Sequence, residues 1–187
     1  MSTSERPLRA DAQRNRDQIV AAAGRAFTKC GLEATLEGIA KDAGVGIGTL
    51  YRHFPTRELL IEAAYRNELA AVCDASPELL AKLPPDQALR AWMDRFIDYM
   101  ARKRGMADAL RAVFASGANP YAQSFELLVG AIKRLLDAGV AAGEIRPDVS
   151  ADDVLVSLSG VALAAGSKRD QADRLLNLLL DGLRYRA

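Results

Sequence analysis

The segment TLEGIAKDAGVGIGTLYRHF, residues 35–54, decides how the chain is read. It sets three glycines, Gly44, Gly46 and Gly48, directly ahead of Thr49, Tyr51, Arg52 and His53. Glycine turns that open a helix are a common cradle for phosphate, because N–H groups at a helix N-terminus attract anions and glycine permits close approach. The spacing here is G-x-G-x-G, which is neither the dinucleotide fingerprint G-x-G-x-x-G nor a P-loop, and no Gly-Lys-Ser/Thr follows. What precedes the glycines is no strand either: Leu36, Ile39, Ala40 and Ala43 recur at the spacing of one helical face. The glycines therefore join two helices, the second carrying polar and basic side chains. In a helix-turn-helix of this kind the second helix enters the major groove, so the expected phosphate is that of double-stranded DNA.

Working outward, helical periodicity dominates and no stretch sustains a period of two. A first helix is expected from about Asp11 to Cys30, with Ile19, Ala23, Ala26, Phe27 and Cys30 on one stripe and Gly31 ending it. Thr35 is suited to cap the second helix, and Glu37 to sit in its first turn. The third helix should stop near His53, since Pro55 cannot continue it. Thr56 then caps a fourth helix of about eighteen residues, carrying Leu59, Leu60, Ala63, Ala64 and Leu69. SPELLAKLPPD, with three prolines, reads as a connector with room for one helical turn inside it. Five more helical patterns follow, at about 86–104, 106–116, 121–142, 150–167 and 170–185. The expectation is an all-α chain of about nine helices without internal repeats. Its parts are a flexible basic arm (1–10), a helix-turn-helix domain (11–55) and a C-terminal helical bundle (56–187).

The 187 residues, 50% hydrophobic and 26% charged, describe an ordinary globular protein. Residues 1–57 hold nine Lys/Arg against six Asp/Glu, whereas residues 58–187 hold sixteen against eighteen, so the positive excess lies with the DNA-reading part. Cys30 and Cys73 lack the spacing of a metal site and read as buried, reduced thiols; no metal or cofactor is expected. The N-terminus has no apolar signal segment, and the longest uncharged run, from Val154, is about fourteen residues, too short to span a bilayer. A cytoplasmic protein without membrane contact is expected. An enzyme is not: one histidine, no E-x-x-H pair and no nucleophile beside a base leave no catalytic constellation.

Residues 19–60 strongly resemble the DNA-binding domain of the TetR/AcrR family of bacterial transcriptional regulators. The likeness rests on Ile39, Ala40, Ala43, Gly44 and Val45, on G-T-L-Y-x-H-F from Gly48 to Phe54, and on the start of the next helix. Length and helix count agree as well. Two departures stand out: Gly46, Ile47 and Gly48 replace a common Ser-Lys-Gly, and the link between the first two helices is one residue shorter. The resemblance implies a homodimer joined through its last two helices, bound to a palindromic operator and released by a small-molecule effector. It places Thr35, Tyr51, His53 and Arg57 on phosphates, where contacts set register without reading sequence. Thr35 could equally be a cap alone, and His53 plain packing. Gly46 belongs to the same DNA-binding set, and base reading falls to Ile47, Gly48, Thr49 and Arg52, with Arg52 able to pair with guanine or to contact backbone alone and Ile47 or the Thr49 methyl to meet a thymine methyl. Arg6, Arg9, Arg14 and Arg16 form either an arm reaching adjacent DNA or a solvated tail.

In the C-terminal part, Trp92, Met93, Phe96, Met100, Met106, Leu110, Phe114, Phe125 and Leu128 offer much aromatic and thioether surface. They are candidates to line an apolar effector site, against the simpler reading of core packing. The last two helices supply Val154, Leu158, Val161, Ala165, Leu175, Leu176, Leu179 and Leu183 as the expected dimer interface, beside a small-residue face of Ser157, Gly160 and Ala164. A terminal helix that is apolar on more than one side needs a second partner. The expected function is a ligand-released repressor. An activator, a ligand-independent regulator, and a helical small-molecule-binding protein or enzyme without DNA binding are the alternatives.

Overall fold

A computed structural model of the chain describes residues 5–184, with side chains from Ala10 onward. Among the described residues there are nine α-helices: α1 (Glu5–Cys30), α2 (Leu36–Asp42), α3 (Ile47–His53), α4 (Arg57–Leu80), α5 (Pro85–Gly105), α6 (Ala107–Ala115), α7 (Ser124–Ala141), α8 (Ala151–Ala165) and α9 (Arg169–Leu183). A 3₁₀ turn, Gly31–Glu33, joins α1 to α2. The all-α expectation holds, and the sole β feature described is an isolated antiparallel bridge between Ile145 and Arg184. The chain divides into two compact units, one of residues up to Glu68 together with Lys103–Pro120, the other of Leu69–Arg102 together with residues from Tyr121.

α1 starts at Glu5, ahead of the first periodic position at Asp11, so residues 5–10 of the basic arm are helical. Residues 1–4, and the side chains of Arg6 and Arg9, lie outside the described residues. In the first unit α1 packs on α2 and α3, and α2 on α3. Ile19, Ala23, Phe27, Ile39, Leu50, Leu60 and Ile61 are buried there. Burial of each large side chain contributes about 1.5–3 kcal/mol, so this small unit is held mainly by its apolar stripe. α6 adds buried Leu110 and Val113 and packs against the 3₁₀ turn. Gly105 closes α5 hard against α1: a Cβ placed on it would stand 2.3 Å from the Thr28 carbonyl oxygen.

In the second unit α7 packs on α8 and α8 on α9. Trp92, Phe96, Ile132, Leu135, Leu158 and Leu176 fill its centre. One expectation is corrected here. SPELLAKLPPD is not a connector from its start, because α4 continues through Ser76 and Pro77 to Leu80. Proline normally breaks a helix by leaving the carbonyl four residues back without a donor. Here that carbonyl belongs to Cys73, and the fully buried Ser76 hydroxyl donates to it at 3.0 Å. Ser76 in turn accepts from Arg134 Nη1 of α7 at 2.6 Å. The missing bond is replaced, and α4 reaches 24 residues instead of about eighteen.

Candidate nucleic-acid interface

The turn between α2 and α3 is set by local chemistry. Gly44 has φ +68°, a conformation that strains any residue with a Cβ. Its N–H donates to the Lys41 carbonyl at 3.1 Å, and the Val45 N–H donates to Ala40 at 3.0 Å. These two bonds form a Schellman closure of α2. At the other end Thr35 Oγ1 accepts from the Gly38 N–H at 3.1 Å, the cap expected of it. Gly46 opens α3 from extended backbone with no side-chain cap on the first N–H groups of that helix.

α3 is short, and Leu50 alone of its seven residues is buried. Ile47 is 37% exposed and Tyr51 46% exposed; Gly46, Gly48 and Arg52 also face outward, while Thr49 and His53 are half-buried. A Cβ on Gly46 or Gly48 would meet nothing within 4 Å, so the outer backbone of this helix is bare. Arg52 is drawn back along α3: Nε donates to the Gly48 carbonyl at 3.2 Å and Nη2 to Thr49 Oγ1 at 3.1 Å. The exposed guanidinium keeps further donors, and a planar guanidinium suits paired acceptors on one base. α3 bears no acidic residue, and its last turn holds Arg52 and His53. Thr35 is exposed at the start of α2.

Two arginines depart from a simple picture of solvated charge. The Arg16 guanidinium stands 5.4 Å from the centroid of the Phe54 ring and lines a groove with His53, Leu59 and Arg66. Arg57 is half-buried, donates from Nη2 to the Leu32 carbonyl at 2.7 Å, and lies 5.2 Å from the Phe27 ring centroid. No pattern in the sequence points to this inward contact, because Leu32 stands 25 residues away. Arg14 pairs with Asp11, and Arg25 with Asp42 at 2.7 Å, the latter tying α1 to α2.

The residues considered for an effector site are divided. Trp92, Met93, Phe96, Met100, Phe125 and Leu128 belong to the second unit, whereas Met106, Leu110 and Phe114 belong to the first. Trp92 and Phe96 stack at 5.7 Å, and the Trp92 indole N–H donates to the Val72 carbonyl at 2.7 Å. Met93, Met106, Leu110 and Leu128 are buried as well, Met100 is half-buried, and Phe114 and Phe125 are exposed. The grooves described on the second unit lie elsewhere. One runs along α7 and the start of α8 beside Val129, Leu136, Val140 and Val149; the other lies beside Leu83, Arg90, Asn177 and Leu180.

The residues expected at a dimer interface separate by depth. Val154, Leu158, Ala165, Leu176 and Leu183 are buried within the chain's own second unit. Val161, Leu175 and Leu179 are half-buried. The outward apolar stripe is carried by Val156 (64% exposed), Leu163 (78%) and Leu178 (68%), beside exposed Ser157, Gly160 and Ala164. The spacing 154, 158, 161, 165 identifies an apolar face, but α8 has two of them; the signal for the outer one was the seven-residue step from Val156 to Leu163. Arg169 holds α9 to α5, with Nη1 on Asp98 at 2.6 Å and Nη2 on Asp94 at 3.0 Å. Among the described residues no cluster of His, Cys, Asp and Glu could hold a metal ion, and no helix is long and apolar enough to cross a membrane.

Comparison with known proteins agrees with this geometry. Residues 19–64 match the profile of bacterial regulatory proteins of the tetR family, and residues 84–185 match the C-terminal domain of SbtR-like transcriptional regulators. The crystal structure of the TetR transcriptional regulator SCO0520 from Streptomyces coelicolor is 60% identical, with a TM-score of 0.88 over 92% of this chain and 99% of that one. A TetR regulatory protein from Mycobacterium vanbaalenii is 30% identical, with a TM-score of 0.79 over 96% and 100% of the two chains. The A-factor receptor protein of Streptomyces griseus is 28% identical over 83% of this chain, which spans 56% of that protein's length.

Proposed function

Since the chain belongs to the TetR family of bacterial transcriptional regulators, we propose that it is a dimeric repressor of a palindromic operator, released by a small apolar or aromatic ligand. The observation that carries this reading is the bare outer face of α3, with Gly46, Ile47, Gly48, Tyr51 and Arg52 exposed and Thr49 half-buried beside a core that fully takes only Leu50. A helix that gives so little to its own unit is free to lie in a major groove. Ile47, Gly48, Thr49 and Arg52 read base edges, while Thr35, Tyr51 and His53 take phosphates on either side. Arg16, held against Phe54, extends the phosphate contacts from α1.

Two copies join through the outward stripe of Val156, Leu163 and Leu178, which sets the α3 helices at the spacing of two half-sites. The effector enters the second unit beside Met93 and Met100, whose flexible thioether chains reshape around irregular contents. α4, whose residues are shared between the two units, carries the resulting change to the helix-turn-helix, and the population that fits the operator falls. The protein acts in the cytoplasm, where its DNA lies.

Fluorescence anisotropy with DNA from upstream of the protein's own gene, against a scrambled duplex at two salt concentrations, tests this reading. A preference that persists at the higher salt is expected, and the same assay then screens ligands for release. Equal, steeply salt-dependent binding to both duplexes would leave only the nonspecific electrostatic component and overturn it.

A further inference from the structure

Arg57 opens α4, where a cation facing outward would meet a DNA phosphate, yet its guanidinium is committed inward. Nη2 reaches the carbonyl of Leu32 at 2.7 Å, and the guanidinium carbon lies 5.2 Å from the centroid of Phe27, a ring with no exposed surface. Leu32 is the middle residue of the 3₁₀ turn and stands three residues ahead of Thr35, the cap of α2. One side chain therefore ties the start of α4 to the core of α1 and to the segment that delivers α2. The turn packs against α1 and α6, yet it contains no buried residue and its N-cap makes no side-chain hydrogen bond.

We propose that Arg57 is a positioning residue for DNA binding, holding the Gly31–Glu33 turn so that Thr35 meets the phosphate, and that it neutralises no phosphate itself. The inference rests on the DNA-binding reading above. It follows from the chemistry of the two partners. A carbonyl and a phenyl face together satisfy a planar guanidinium, which donates in its plane and stacks with its face. An ammonium has no face to stack, so lysine keeps the charge and loses the arrangement. A phosphate contact would respond in the opposite way, since lysine serves there as a point charge.

The test uses a duplex selected from random sequence by the full-length wild-type protein, with binding measured over a range of salt. Arg57→Lys is expected to bind about tenfold more weakly, as befits loss of one charge-assisted contact, with the slope of log Kd against log salt unchanged. In a Thr35→Ala background the same change at Arg57 should cost nothing further, because the residue acts through Thr35; a merely structural role would add its full effect. Arg57→Lys that binds like wild type, with Arg57→Ala lowering the salt slope by about one, would make Arg57 a phosphate contact and overturn the proposal. Equal losses from Arg57→Lys with and without Thr35 would overturn it too. Should Arg57→Ala lose helix content, the lysine variant alone decides. Failure of the wild type to select any sequence would instead overturn the DNA-binding reading.

Discussion

The outer face of α3 and the outer stripe of α8 and α9 are both left uncovered by the chain's own core, and they differ in kind. α3 presents bare backbone at Gly46 and Gly48, a tyrosine, and an arginine already drawn along the helix. α8 and α9 present Val156, Leu163 and Leu178 beside small residues. The first surface suits a charged, hydrated partner whose grooves admit a slim helix; the second gains only by excluding water against another apolar face. The difference teaches that exposure alone does not name a partner, and that the chemistry of what is exposed does.

The largest effect should come from charging the apolar stripe. Leu163→Asp places a carboxylate where a second copy would pack and disturbs no buried contact, so helix content should persist while sedimentation reports a monomer. Operator affinity should fall at least about 100-fold, since two linked half-site contacts become one. A dimer that survives this change would break the comparison on its apolar side.

Two glycines of the first unit sharpen it on the other. Gly105→Ala drives a Cβ to 2.3 Å from the Thr28 carbonyl oxygen, so backbone must shift, and the overpacking should lower stability by about 1–3 kcal/mol in thermal or urea unfolding. Gly48→Ala meets nothing within 4 Å and should leave the melting temperature unchanged or slightly raised while weakening operator binding. If Gly48→Ala binds DNA normally, the bare backbone of α3 is not a contact surface. Thr35→Ala removes the α2 cap and should cost about 1 kcal/mol of stability besides its loss of DNA affinity.

A smaller effect concerns Cys73, whose thiol is pushed up to about 11 from an ordinary 9.0, chiefly by burial and then by neighbouring Asp74, with Arg134 opposing. A raised folded-state value favours the protonated form, so its contribution is whole below pH 9 and is lost as pH climbs through 11. Urea midpoints should therefore fall over that interval, and less so in Cys73→Ala. At pH 8 iodoacetamide should reach exposed Cys30 well before Cys73. The smallest effect is Asp42→Ala. It removes the exposed pair with Arg25 and should cost under about 1 kcal/mol, vanishing at high salt.

Much of this architecture was legible in short windows of sequence. Thr35, Gly44, Pro55 and Thr56 each act within four residues of themselves, through a cap, a left-handed turn or a missing N–H, and their effects appear where the sequence puts them. The proline of α4 shows where such reading stops. Pro77 signals a break, but the Ser76 hydroxyl supplies the bond that proline lacks and is itself held by Arg134 from α7, and only the second of these lies far away in sequence. Cys30 was expected to be buried and is exposed, because the stripe it shares with Phe27 runs out of core at the last turn of α1.

By itself the amino-acid sequence determined the all-α class, the number of helices and the helix-turn-helix, since each follows from periodicity, caps and turn residues that act locally, while the family showed in the resemblance of residues 19–60 to a known motif. Tertiary structure alone decided which of two apolar faces of α8 turns inward, and that Arg57 serves Leu32 and Phe27. A helical repeat states that a face is apolar without saying what will cover it. A guanidinium likewise finds its carbonyl only after the chain between them has folded.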